Sequence, residues 1–96
     1  MKTRNGITSI ITGDIVQSRL TDARLWLPRL KKELSAKGKS PRAWQVYRGD
    51  SFQLEEKDPA MAFMATIRIK ATIKAVKDLD VRMAIGIGEK KFTSQE

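Results

Sequence analysis

Ala43-Trp44-Gln45-Val46-Tyr47-Arg48-Gly49-Asp50-Ser51-Phe52-Gln53-Leu54-Glu55 is the stretch on which the fold turns. It reads as two short strands, Ala43 to Tyr47 and Ser51 to Glu55. They are joined through Arg48-Gly49-Asp50, because β-branched and aromatic residues flank a glycine suited to a tight hairpin turn. Upstream, Lys37-Gly38-Lys39-Ser40-Pro41 ends a helix. Downstream, Asp58 and Pro59 open one, with the aspartate as cap and the proline at the first helical position. The hairpin therefore lies between two helices.

Working outward, Ile7 to Thr12 is a β-branched, nearly continuous apolar run, as expected of a strand buried on both faces, and Gly13-Asp14 is expected to break it. Thr21 and Asp22 offer capping side chains, and Leu20, Leu27, Leu30 and Leu34 or Trp26, Leu30 and Leu34 give helical spacing. Pro28 leaves two accounts open. Either the helix starts near Leu27 with the proline in its first turn, or an earlier helix kinks there.

The second helix is predicted from about Pro59 to Lys77, with two apolar stripes. One is Ala60/Phe63/Met64/Ile67/Ala71 and the other Ala62/Ile69/Ile73/Val76. One stripe covers the sheet; the other needs the first helix, further sequence or another subunit. Leu79 to Gly88 is the last strand, ending in glycines. The order is β-α-β-β-α-β, which predicts an α+β, ferredoxin-like antiparallel sheet with two helices on one face.

The chain has 96 residues, enough for a single domain spanning 1–96. Apolar content of 41% and charged content of 31% suit a globular chain rather than a disordered one. No apolar run approaches the roughly 20 residues of a membrane span, and Met1 to Gly6 lacks the apolar core of a secretory signal. A cytoplasmic protein without membrane attachment is the expectation.

There is no cysteine and no histidine. Disulfides, thiolate zinc sites, Ser-His or Cys-His nucleophile pairs and histidine bases are thereby excluded. Carboxylates, Lys, Arg, hydroxyls and amides remain, an inventory suited to phosphate chemistry on a metal. The formal charge of +8 favours anionic partners. The cations are dispersed as Arg29/Lys31/Lys32, Lys37/Lys39/Arg42, Lys70/Lys74/Lys77 and Lys90/Lys91, without a basic arm interleaved with aromatics, so nucleic acid ranks below a nucleotide or phosphate ligand.

Two aspartates stand where strands give way to turns, Asp14 and Asp50. Neighbouring strands would let them form a hard-oxygen site for Mg²⁺ or Mn²⁺ completed by phosphate oxygens. Each also has a plainer account: Asp14 satisfying turn amides, and Gly49-Asp50 as hairpin chemistry. Arg48 reads as a phosphate neutraliser or an exposed hairpin arginine, and Ser18-Arg19 as a phosphate loop or a solvated turn. Arg82 belongs on the open sheet face. Trp26, Trp44 and Met61/Phe63/Met64 read as packing residues, and Lys70/Lys74/Lys77 as a solvated ridge. Gly86 and Gly88 suit a strand end or a close approach.

Three segments carry a resemblance: Thr12-Gly13-Asp14-Ile15-Val16-Gln17-Ser18-Arg19, then Tyr47-Arg48-Gly49-Asp50-Ser51-Phe52, then Asp80-Val81-Arg82-Met83-Ala84-Ile85-Gly86-Ile87-Gly88. Their order resembles the catalytic palm of class III nucleotidyl cyclases, and more closely the SatD family of bacterial proteins with a cyclase-like palm. The resemblance implies metal ligands at Asp14 and Asp50, with the Ile15 carbonyl on one metal. It implies triphosphate contacts from Val16, Gln17, Ser18 and Arg19, assistance from Arg48, and close backbone approach at Gly49. It also exposes departures. Val46 stands where cyclases place a base-reading Lys or Glu, and the Asn and Arg of a later cyclase helix have no counterpart before Glu96. A fragment that binds a ligand without catalysis is the resulting expectation. The alternative is a degenerate palm serving as a protein-interaction, regulatory or nucleic-acid-binding module, with a homodimer as one form.

Overall fold

The computed structural model describes residues 6–18 and 21–89. Four strands and two α-helices follow the predicted order: β1 (Ile7–Val16), α1 (Leu27–Ser35), β2 (Trp44–Tyr47), β3 (Ser51–Glu56), α2 (Ala62–Lys74) and β4 (Asp80–Glu89). The strands form one sheet in the order β2-β3-β1-β4, antiparallel throughout. This α+β arrangement is compatible with a ferredoxin-like fold. Among the described residues, no helix is long and apolar enough to cross a membrane.

One sheet face carries the core and the other is open. Ile11 and Ile15 of β1, Phe52 and Leu54 of β3 and Val81 of β4 pack with Leu30 and Leu34 of α1 and Ile69 and Ile73 of α2. Alternation places Thr8, Ile10, Thr12 and Asp14 on the opposite face, where Thr12 is exposed. The expectation of a β1 buried on both faces is therefore corrected: both helices cover the same side.

β1 also runs on through Gly13 and Asp14 rather than breaking there, pairing Asp14 with Ser51 and Val16 with Asp80. Gly13 serves packing, not a turn. A Cβ on it would stand 2.5 Å from Phe52 Cζ and 2.9 Å from Met83 Cγ, so the missing side chain is the space the Phe52 ring fills. The chain turns later, at Gln17, whose φ of 67° is left-handed.

Pro28 sits in the first turn of α1, matching the account in which the helix begins near Leu27. Asp22 caps a separate 3₁₀ turn, Ala23–Leu25, by accepting the Arg24 amide at 2.9 Å. Asp58 likewise accepts the Ala60 amide at 3.1 Å and starts a 3₁₀ turn, Pro59–Met61, that leads into α2. α2 stops at Lys74, short of the predicted Lys77, because its last turn tightens: the Val76 amide donates to the Ile73 carbonyl at 2.9 Å. Asp78, at φ 67°, then reverses the chain. The Lys70 ammonium lies 2.9 Å from Asp80, and Lys74 lies 3.8 Å from the same carboxylate, so two members of the expected solvated ridge tie α2 to β4.

The stripe Ala62/Ile69/Ile73/Val76 faces the sheet, joined by Ala65. The other faces solvent, with Phe63 68% exposed. Reading Met61, Phe63 and Met64 as packing residues is corrected accordingly, since Phe63 and Met64 lie on the outer side of α2 and Met61, in the turn before it, is exposed as well. Trp26 is buried, and Trp44 packs against the core with its indole N–H donating to the Gly38 carbonyl at 3.0 Å.

Candidate functional site

Asp14 and Asp50 are brought to the same end of the sheet by two local choices. The first is the register of β1 against β3, which sets Asp14 opposite Ser51 and lets the Ile15 amide donate to the Asp50 carbonyl at 2.8 Å. The second is the hairpin turn. Arg48 and Gly49 both take positive φ, 49° and 81°, and the Asp50 amide donates to the Tyr47 carbonyl at 3.2 Å, the signature of a type I′ turn. Gly49 is there for this backbone conformation. Nothing lies within 4 Å of where its Cβ would stand, so the expected close approach is not what the position serves within the chain itself.

Both carboxylate residues border one open recess of about 690 Å³, shared with Tyr47, Ser51, Gln53 and Arg82. Each acid already has a partner. Asp14 Oδ2 accepts from the Arg82 guanidinium at 2.7 Å, across the β1–β4 register that pairs these residues on the open face. Asp50 Oδ2 accepts the Ser18 hydroxyl at 3.3 Å. The Asp14 hydrogen bond, with its opposite charge, pushes the Arg82 pKa up from its ordinary value, so Arg82 is cationic at any accessible pH. Arg82 was expected on the open face, and its partnership with Asp14 was missed. The signal was available: with β1 and β4 antiparallel, a strand-end acid and a strand-start arginine share a face.

Ile15 has its side chain in the core and its backbone in the β1 ladder. Val16 is the last residue of β1, not part of a loop, since β1 extends further than predicted. That leaves Gln17, exposed, and Ser18, half-buried, as the described part of the expected phosphate loop. Arg19 lies outside the described residues, as do Leu20 and Lys90 to Glu96. Arg48 is exposed at the hairpin tip. Val46 faces the helix layer opposite Phe52 and packs against the core, which accounts for an apolar residue there.

The donor set fits a weak divalent-cation site. Two carboxylates with a hydroxyl beside one of them are hard oxygen ligands, and Mg²⁺ commonly takes one or two protein carboxylates with substrate phosphates. Among the described residues, no group of three or more His, Cys, Asp or Glu side chains is arranged to hold a metal. The remaining ligands must therefore come from water or a phosphate. Arg82 supplies a planar cation suited to that same phosphate. No protein-family model matches this chain, and no curated protein is similar to it at a significant level.

Proposed function

We propose that this chain is a SatD-like, cyclase-like palm domain that binds a nucleotide or related phosphate ligand together with a divalent cation, Mg²⁺ or Mn²⁺, at Asp14 and Asp50. The observation supporting this reading is that both acids border one recess, with Arg82 bonded to one and Ser18 to the other. When bound, the cation neutralises phosphate oxygens. Arg82 then exchanges its bond to Asp14 for one to the phosphate, freeing that carboxylate. The function assigned is binding, with no reaction attached to it.

Thermal unfolding with Mn²⁺ and ATP or GTP, in the wild type and in Asp14→Ala/Asp50→Ala, tests the proposal. A Mn²⁺-dependent gain over nucleotide in EDTA is expected in the wild type alone; an equal Mn²⁺-dependent gain in both proteins would remove the site.

A second reading, a palm used as an interaction module, is favoured by the outer face of α2. There Phe63, Met64 and Ile67 are 68%, 49% and 46% exposed. It predicts metal-independent association that Phe63→Glu abolishes in light scattering. A wild type that stays monomeric at all concentrations, with no protein partner, counts against it.

A further inference from the structure

We propose that a second recess, at the opposite end of β1, is a metal-independent site for a compact pyrophosphate-bearing small molecule, recognised by Lys39, Arg42 and Lys57. Thr8 lies six residues from Asp14, roughly 20 Å along an extended strand, so the two recesses are separate. This one has a volume of about 630 Å³, and Lys37, Lys39, Arg42 and Lys57 line it together with Ile7, Gly38 and Glu55. That volume is within the roughly 300–1,000 Å³ range of small-molecule pockets.

The charge balance is lopsided. Lys37 lies 2.7 Å from Glu56, just outside the recess, and is neutralised by it. Lys39, Arg42 and Lys57 make no ion pair among the described residues. Glu55 is the one carboxylate among the described residues that line the recess, and its Oε2 accepts the Thr8 hydroxyl at 2.7 Å. Three cations converging against one carboxylate are stabilised by an added polyanion.

The loop carrying two of them is held in place before any ligand arrives. The Ala43 amide donates to the Lys39 carbonyl at 2.8 Å and the Glu55 amide to the Ala43 carbonyl at 2.8 Å. The Trp44 indole donates to the Gly38 carbonyl at 3.0 Å. Gly38, at φ 146°, lies so close to Ala43 that a Cβ on it would stand 2.7 Å from the alanine methyl. Such a closed loop limits the ordering cost of binding. Apolar surface from Ile7 and Ala43 beside the cations suits a ligand with a small organic body behind its phosphates.

Calorimetric titration of inorganic pyrophosphate, in EDTA at low salt, separates this site from the one at Asp14 and Asp50. The wild type and Asp14→Asn/Asp50→Asn are expected to bind alike, with one saturable site. Lys39→Ala/Arg42→Ala is expected to bind at least about tenfold more weakly. Lys31→Ala/Lys32→Ala, which removes the same charge from the exposed side of α1, should change affinity by less than about twofold. ADP is expected to bind more tightly than pyrophosphate if the apolar surface contributes. Amide NMR shifts in the wild type, expected at 38–40, 42, 43 and at Lys57, give a readout that needs no variant. Absence of saturable binding, shifts elsewhere, or an equal loss in the Lys31/Lys32 control would each overturn the proposal.

Discussion

The two ends of β1 solve the problem of charge in opposite ways. At the Asp14 end, acids meet partners supplied by the fold itself, Arg82 across the β1–β4 register and Ser18 beside the hairpin. At the Thr8 end, a loop holds Lys39 and Arg42 over a recess with a single carboxylate among its described lining residues. Packing differs by face rather than by end. Gly13, on the core face, is pressed against Phe52 and Met83, whereas Gly88, paired with Thr8 on the open face, has nothing within 4 Å of where a Cβ would stand.

The largest effect should come from putting a methyl group on the core face of β1. Gly13→Ala is expected to lose about 1–3 kcal/mol in urea unfolding, since the Phe52 ring must move. Gly88→Ala, its counterpart, should stay within about 0.5 kcal/mol of the wild type. Equal effects would mean that the core face and the open face do not differ in packing here.

Next comes Glu56, which anchors Lys37 at the basic end. Burial alone would raise its pKa, but the Lys37 hydrogen bond and charge and the Asp58 amide outweigh it and hold the carboxyl below its ordinary value of 4.5. A depressed folded pKa means stability that is present above 4.5 and lost as pH falls through the folded value. Glu56→Gln is therefore expected to cost about 1–2 kcal/mol near neutral pH, with the gap to wild type closing in acid. A pH-independent gap would contradict the assignment.

Arg82→Ala should change stability least, because this pair is open to solvent and screened by salt. Its effect belongs to binding: Mn²⁺ alone should bind more tightly once Asp14 is released, while nucleotide in the presence of Mn²⁺ should bind more weakly. If both affinities move together, the proposed exchange of Arg82 between acid and phosphate is wrong.

The element order was legible because punctuation is local. Asp58-Pro59, Pro28 and Arg48-Gly49 each constrain only their own backbone: the hairpin turn stands where expected, Pro28 follows one of its two accounts, and Asp58-Pro59 opens a 3₁₀ turn that precedes α2. What escaped was long-range. Gly13 reads as a break until Phe52, 39 positions away in sequence, is seen filling its space. Which stripe of α2 faces inward depends on where the sheet lies, so Phe63 and Met64 were misjudged. Asp14 and Asp50 were legible as candidates, but Arg82 as the partner of Asp14 required the β1–β4 register. Lys37, Lys39 and Arg42 of the second recess read as one cation group in the loop after α1, but Lys57, which follows β3, joins them only through the fold.

Paramagnetic broadening by substoichiometric Mn²⁺, followed in an amide NMR spectrum, tests the acidic-end reading most directly. The amide resonances at positions 14, 15, 50 and 51 are expected to vanish first in the wild type, and those at the same positions to persist in Asp14→Ala/Asp50→Ala. Broadening that begins instead around Glu33, Glu55 or Asp80, or that affects wild type and variant equally, would contradict it.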